Sequence, residues 1–240
     1  MYLKGADVMA KIRKQRVAVL IGIIIFAVIV ILLCYYFNLF PQKEYKSNNF
    51  NIEQIKSSVD FNRNGIDDYT DIMLGARKDA ENHPKYNGKY WENGYPPDDI
   101  GVCTDVIWRG FKNAGYNLRE MVDKDIKNRP EAYTRIDYPD SNIDFRRVKN
   151  LKVFFDTYCE NLTVDTEDIA QWQAGDIVIF DGNEHIGIVS DKRNSDGEPF
   201  IIHNMGQPQR EEDYFKRNKP TSHYRFNAAN IDENILVSWE

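Results

Sequence analysis

The chain has 240 residues, of which 42% are hydrophobic, enough for one sizeable core, so the composition argues against extensive disorder. Its net charge of −6 is uneven, because residues 1–16 hold five basic residues and one acidic residue, a net +4 that leaves −10 for the remainder. Such an acidic body argues against a nucleic-acid partner, because the nucleic-acid phosphates would repel it.

The first predicted element is a transmembrane helix over residues 17–37, a run that contains no charged residue. A bilayer core needs about 20 apolar residues in a helix. A cleaved signal peptide has a shorter apolar region of about 7–15 residues and a small-residue cleavage site, and this run fits neither property. Because basic residues favour the cytoplasm, we predict a cytoplasmic N-terminus over residues 1–16, a lipid bilayer as partner, and an extracytoplasmic C-terminal domain.

A polar stretch over residues 38–59 predicts a tether. Residues 60–71 then match the twelve-residue calcium loop, with Gly65 at the sharp turn, and predict a structural calcium ion. Asp67 replaces the usual hydrophobic residue and Asp71 the longer glutamate, so we expect a dissociation constant on the order of 10⁻⁴–10⁻³ M. An acidic turn that needs no metal is the alternative. The predicted oxygen ligands are the side chains of Asp60, Asn62, Asn64, Asp68 and Asp71 and the carbonyl of Ile66.

The remainder of the chain, residues 72–240, changes character part-way along. Apolar residues at helical spacing first predict helices over 71–82, 103–115, 118–128 and 148–160. Short β-branched and aromatic runs between turn residues then predict strands over 177–180, 186–189, 200–203 and 224–226. Helices followed by an antiparallel sheet predict the α+β class.

Three residues form the candidate active site. Cys103 begins a predicted helix, where free N–H groups and partial positive charge favour a thiolate. His185 opens a predicted strand and His203 ends the next one, so a hairpin would bring the two imidazoles together. This order predicts a cysteine nucleophile, its base and the group that orients the base. A catalytic thiol at Cys103 is expected to react with iodoacetamide well below about pH 8, whereas a buried inert thiol is not.

Two other interpretations fit the same three residues. One is a buried structural cysteine accompanied by two hydrogen-bonded core histidines. The other is a zinc site made by one cysteine and two histidines, although the chain has no C-x-x-C or H-E-x-x-H pattern to support it. Cysteine-based hydrolysis itself requires no cofactor.

Five sequence blocks together resemble the bacterial family called domain of unknown function 1287. That family is similar to the NlpC-type, papain-like cell-wall cysteine peptidases, and the likeness covers residues 71–226. The blocks are Gly101-Val102-Cys103-Thr104-Asp105-Val106, Asn142-Ile143-Asp144-Phe145-Arg146-Arg147-Val148, Gly175-Asp176-Ile177-Val178, His185-Ile186-Gly187-Ile188-Val189-Ser190-Asp191 and Ile202-His203-Asn204.

The resemblance implies a papain-like α+β fold over residues 72–240, with N-terminal helices packed on an antiparallel sheet. It places the nucleophile at Cys103, the base at His185 and the third polar member at His203. Relatives of the NlpC type cleave amide bonds in peptidoglycan stem peptides. They usually have Ser-Gly after the cysteine, whereas this chain has Thr104-Asp105, so the substrate cleft is expected to differ.

Other candidate residues concern substrate binding. Arg146 and Arg147 are predicted to bind a substrate carboxylate in a bidentate way; an ion pair with Asp144 or a neighbour is the alternative. Trp91 is predicted to wall the cleft, with a packing role as the alternative.

The expected function is therefore that of an amidase or endopeptidase acting on peptidoglycan from a single-pass position in the bacterial cytoplasmic membrane. One alternative is a non-catalytic, calcium-braced module that binds cell wall. The other is an acyltransferase that uses the same thioester chemistry with an amine acceptor.

Overall fold

A computed structural model describes residues 2–239, with side chains described for residues 11–239. The chain divides into two compact units, Met1–Pro41 and Gln42–Glu240. Part of the predicted basic N-terminus over residues 1–16 therefore lies outside the described side chains.

The first unit contains one long helix, α1, which spans Tyr2–Tyr36. Its segment Lys11–Tyr36 is long and apolar enough to cross a membrane, a property that membrane anchors and signal sequences share. The predicted span over residues 17–37 lies within this segment apart from Phe37. The segment itself begins six residues earlier, at Lys11.

Over residues 42–239, the second unit contains four α-helices and eight strands. The helices are α2 Asp68–Asn82, α3 Cys103–Asn113, α4 Leu118–Asn128 and α5 Val148–Tyr158. The strands are β1 Lys85–Tyr86, β2 Ile100–Gly101, β3 Glu160–Asn161, β4 Ile177–Phe180, β5 His185–Arg193, β6 Pro199–Ile202, β7 Glu211–Glu212 and β8 Pro220–Arg225. The helices precede the main sheet in the chain, so the predicted α+β class is confirmed.

The main sheet has six antiparallel strands in the order β3-β8-β4-β5-β6-β7, and β1 and β2 form a separate parallel pair. Strand β4 is buried on both faces. Ile177 and Ile179 join the large core that also contains the helices, whereas Val178 and Phe180 join a smaller core on the opposite face. Because successive side chains of a strand point to opposite faces, β4 contributes to both cores.

Helices α2 and α3 approach each other closely through glycine. A Cβ atom at Gly110 would lie 2.8 Å from the carbonyl oxygen of Ile72, and one at Gly75 would lie 2.4 Å from the Cβ of Asn113. This close approach holds α3, whose first residue is Cys103, firmly in the helical layer.

The structure differs from the predicted tether over residues 38–59, because residues from Gln42 onward belong to the compact second unit. Tyr45 and Arg193 exchange two backbone hydrogen bonds of 2.9 Å, which adds an isolated bridge to the end of β5. Lys46 forms a 2.6 Å ion pair with Asp191. A polar composition alone cannot reveal these partners, because they lie far away in the sequence.

Candidate active site

Cys103 is the first residue of α3 and is 5% exposed. The strand β2 ends just before it, and Val102, in extended conformation, precedes the helix. The Asp105 carboxylate accepts a 2.7 Å hydrogen bond from the N–H of Val102, which caps the helix start. The predicted helical start at Cys103 is therefore confirmed, and it is fixed by a side chain two residues away.

The two candidate histidines are in direct contact. His185 is the first residue of β5 and pairs with Phe180, while His203 follows the end of β6. Nε2 of His185 lies 2.8 Å from Nδ1 of His203. The proximity predicted from the hairpin is confirmed, and it leaves Nδ1 as the ring nitrogen of His185 that His203 does not engage.

The Cys103 sulfur lies against the backbone N–H of Ile186, the residue that follows His185. Within the described residues, no hydrogen bond joins this sulfur to either imidazole. The thiol therefore lies at the contact between α3 and β5, beside the residue that follows its candidate base.

Burial determines the charges in this cluster. It raises the pKa of the Cys103 thiol to about 11, although the backbone N–H groups of Ile186, Thr104 and Cys103 lower it. Burial, followed by the charge of His203, lowers the pKa of His185 to about 3. The N–H groups at the start of α3 lower the pKa of the thiol, as predicted, but the loss of hydration on burial raises it by more. The resting pair is therefore a neutral thiol beside a neutral imidazole.

The raised pKa of Cys103 favours the slow alkylation of a buried thiol over the fast alkylation below about pH 8 that is expected of a catalytic one. We expect the rate of Cys103 alkylation by iodoacetamide to keep rising above about pH 9, because only the thiolate reacts. Mapping the labelled peptide by mass spectrometry at each pH checks this. A rate for Cys103 that reaches its plateau near neutral pH would show that a preformed thiolate exists.

A stability prediction follows from the low pKa of His185. Between its folded value of about 3 and the unfolded reference of 6.5, the unfolded chain binds a proton that the folded chain does not. Acidification through this window should therefore lower the free energy of unfolding, by up to about 1.4 kcal/mol per pH unit. Urea denaturation at about pH 7, 6 and 5 should show a shallower dependence in His185→Asn than in the wild type. The exposed control His83→Asn should keep the wild-type slope.

Cys103 lines an open groove of about 830 Å³. Arg135 and Arg147 also line it; both are exposed, and neither forms a direct ion pair within the described residues. Tyr138, which is 89% exposed, stands at the same groove. Burial alone would equally suit a structural cysteine; the position of Cys103 at an open groove is what favours a reactive role.

The comparisons with known proteins concern this part of the chain. Residues 73–226 match the family model described as a domain of unknown function, DUF1287. The chain belongs to the DUF1287 family. The uncharacterized protein YijF of Escherichia coli (strain K12) is 35% identical over 165 residues, which cover 65% of this chain and 80% of YijF. No solved structure matches this chain.

The family match includes Arg146 and Arg147, and the structure places the two side chains differently. Arg146 is buried, and its guanidinium makes two hydrogen bonds of 2.7 and 2.9 Å to the Asp105 carboxylate. The structure therefore supports the ion-pair alternative for Arg146, with Asp105 as the partner rather than Asp144. Arg147 lies at the groove and stays a candidate for binding a carboxylate.

Trp91, also within the DUF1287 region, is half-buried and does not line the groove around Cys103. Its indole Nε1 is buried without a hydrogen-bond partner in the described residues. The groove wall is formed instead by Tyr86 and Tyr138, which the sequence did not single out. The packing alternative fits Trp91 better than the predicted role in the cleft.

The calcium-like loop precedes the DUF1287 region and is closed by its own side chains. The amides of Asn62 and Asn64 donate to Oδ2 of Asp71 at 3.0 and 2.7 Å. Asp60 accepts from the backbone of Asn64 and Gly65. Within the described residues, no three His, Cys, Asp or Glu side chains are spaced to hold a metal ion, in this loop or around Cys103.

Asp68 fits the predicted calcium site least well. It is buried, and its carboxylate accepts hydrogen bonds of 2.6 Å from the Tyr116 hydroxyl and 2.9 Å from the N–H of Phe61. As arranged, the three carboxylates among the predicted ligands, Asp60, Asp68 and Asp71, are not grouped to hold a metal ion. Calcium binding stays a prediction: a saturable rise in melting temperature with calcium that Asp60→Ala loses would support it.

No pattern in the sequence points to Glu212 as a site residue. Its side chain is fully buried and its Oε1 lies 3.2 Å from Nε2 of His203 and 2.6 Å from Nη2 of Arg217. Glu211-Glu212 forms only a two-residue strand, too short for any periodicity. The candidate site therefore includes a buried carboxylate that only the folded structure reveals.

Proposed function

We propose that this chain is a membrane-anchored cysteine hydrolase that cleaves peptide or amide bonds of peptidoglycan. The observation that carries the proposal is the position of the Cys103 thiol, which lines an open groove and contacts the N–H next to His185. A thiol nucleophile needs a nearby base and access for a substrate carbonyl; the groove supports the access, and the contact with the residue after His185 supports the proximity of the base.

The proposed fold relationship is to papain-like peptidases of the NlpC type. Two features support it: a cysteine at the start of a helix, and an antiparallel sheet in which β5 carries His185 against that helix. The buried Asp105 departs from the small residues usual in those relatives. Because its ion pair with Arg146 fixes the start of α3, this chain supports the nucleophile by a different local device.

In the first chemical step, the Cys103 sulfur attacks the carbonyl carbon of the scissile amide, and the thiol proton moves to Nδ1 of His185. The carbonyl oxygen takes up the electron pair and is stabilised by backbone N–H groups at the start of α3, with that of Cys103 as the nearest. The carbon–nitrogen bond then breaks, His185 returns the proton to the departing amine, and a thioester remains on Cys103.

In the second step, water attacks the thioester carbon while His185 accepts one of the water protons. The carbon–sulfur bond breaks, the proton passes to sulfur, and a carboxylic acid is released. Because the thiol and imidazole start neutral, the proton transfer accompanies the attack rather than preceding it.

The groove supports a peptide substrate that carries a carboxylate. Arg135 and Arg147 line the groove together with Cys103; Asp144 and Glu184 line it too and lie within electrostatic reach of Arg147 and Arg135 respectively. Peptidoglycan stem peptides carry carboxylates, and guanidinium binds carboxylates in a planar, bidentate geometry. The proposed substrate class rests on Arg135 and Arg147, which are exposed at the groove.

The proposed location is the bacterial cytoplasmic membrane, with α1 as a single-pass anchor. Residues 11–16 carry four of the basic residues that precede the apolar run. Because such residues favour the cytoplasmic side, the second unit would be extracytoplasmic, where peptidoglycan is.

The test is digestion of purified peptidoglycan by the full chain in detergent micelles, with mass spectrometry of the soluble fragments. Hydrolysis should release fragments with a new carboxyl terminus and a new amino terminus. Fragments joined to an added amine would instead identify an acyltransferase. Binding to the cell wall without any new fragment would contradict the proposal and favour the non-catalytic module.

A further inference from the structure

A row of three buried polar side chains runs inward from the candidate nucleophile. His185 contacts His203 through Nε2 and Nδ1 at 2.8 Å, and Nε2 of His203 lies 3.2 Å from Oε1 of Glu212. His203 and Glu212 are both fully buried. Arg217 forms a 2.6 Å ion pair with the same oxygen of Glu212. The mechanism proposed above uses the first two members of this row and assigns nothing to Glu212.

The hydrogen positions in this row follow from what each group can donate. A carboxylate is only an acceptor, so Nε2 of His203 carries a hydrogen and donates it to Glu212. A neutral imidazole has one N–H group, which leaves Nδ1 of His203 as an acceptor. Nε2 of His185 must then be the donor in the contact with His203. Nδ1 of His185 is consequently left with a lone pair.

We propose that Glu212, held by Arg217, is a positioning residue that sets the tautomers of His203 and His185 and so keeps Nδ1 of His185 ready to accept the Cys103 proton. The role of Glu212 in turnover rests on the proposed function, whereas the hydrogen positions assigned to His203 and His185 do not depend on it. Without an acceptor at position 212, His203 can carry its hydrogen on Nδ1 and donate it to His185. The hydrogen of His185 would then move to Nδ1, where it would block the proton transfer.

Other groups around His203 are consistent with two neutral rings. Arg217 and Arg210 lower the pKa of His203 in addition to its burial, whereas Glu212 raises it. Gln207 places its amide Nε2 3.3 Å from Nδ1, 3.2 Å from Nε2 and 3.2 Å from the carbonyl oxygen of His203, and Tyr214 packs with its ring centre 4.2 Å from that of His203. Because an amide nitrogen can only donate, Gln207 favours an acceptor at Nδ1, and Glu212 is the carboxylate that accepts a hydrogen from Nε2.

The test is nitrogen NMR of the full chain in micelles with ¹⁵N-labelled histidine. The chain has four histidines, so the spectrum is sparse, and two-bond couplings distinguish the tautomers. In the wild type, His185 and His203 should both carry hydrogen on Nε2. Glu212→Leu, which removes the acceptor, should shift hydrogen to Nδ1 and lower kcat/KM by about 10²-fold or more.

Glu212→Gln is the matched variant, because its amide oxygen can still accept at the same position. We expect it to keep the Nε2–H tautomers and most of the activity, and it keeps the test decisive if Glu212→Leu does not fold. Hydrogen on Nδ1 of either histidine in the wild type, or unchanged tautomers in a folded Glu212→Leu, would overturn the proposal. Correct tautomers in a chain that digests no peptidoglycan would overturn the proposed function alone.

Discussion

Cys103→Ala is expected to abolish peptidoglycan hydrolysis, with a fall in kcat of about 10⁴-fold or more, because within the described residues no other thiol lines the groove and could form the thioester. The rate is measured as fragments released over time and quantified by mass spectrometry. The fold should persist, since the change removes one sulfur atom at a site that opens onto a groove. Circular dichroism and the urea midpoint check that persistence.

Cys159→Ala provides the matched control for the loss of a thiol. Cys159 follows the end of α5 and does not line the groove around Cys103. The variant Cys159→Ala should therefore keep wild-type turnover. Full activity in Cys103→Ala, or equal losses in the two variants, would contradict the role assigned to Cys103.

Asp105→Ala is expected to lower the free energy of unfolding by about 3–5 kcal/mol, because it leaves the guanidinium of Arg146 buried without its charge partner. Both side chains are at most 1% exposed. The same carboxylate also accepts 2.7 Å hydrogen bonds from the indole of Trp108 and the N–H of Val102. Urea denaturation of the full chain in micelles measures the loss, and activity should fall with it.

The exposed neighbour Arg147 gives the control, since Arg147→Ala should change stability by less than about 0.5 kcal/mol. The double variant Asp105→Ala with Arg146→Ala should lose less than the sum of the two single variants, because it leaves neither charge unpaired. Additive losses in the double variant would show that the two residues contribute independently, contrary to their contact.

The helices near the nucleophile could be predicted because their apolar residues recur at helical spacing and their ends carry local signals. The predicted helix over 118–128 agrees with α4 at both ends, and the strand over 177–180 agrees with β4. Strand β5 extends past its predicted end at Val189 to Arg193, where it pairs with Tyr45. That extension depends on a segment almost 150 residues away, which periodicity does not report.

In the candidate site, too, some contacts could be predicted from the sequence and others could not. The meeting of His185 and His203 follows from hairpin symmetry, so the sequence was sufficient to predict it. The ion pair between Asp105 and Arg146 joins residues 41 positions apart, and no local pattern marks it. The charge state of Cys103 was also beyond the sequence, because it depends on burial by β5 as well as on the helix start.

The most direct measurement of the central claim is acid quenching of the full chain during turnover on peptidoglycan fragments, followed by mass spectrometry of the intact and digested protein. The account predicts a transient increase in mass equal to the acyl fragment, located on the peptide that contains Cys103 and removed by hydroxylamine. Turnover with no adduct on Cys103, or an adduct located on another residue, would contradict it.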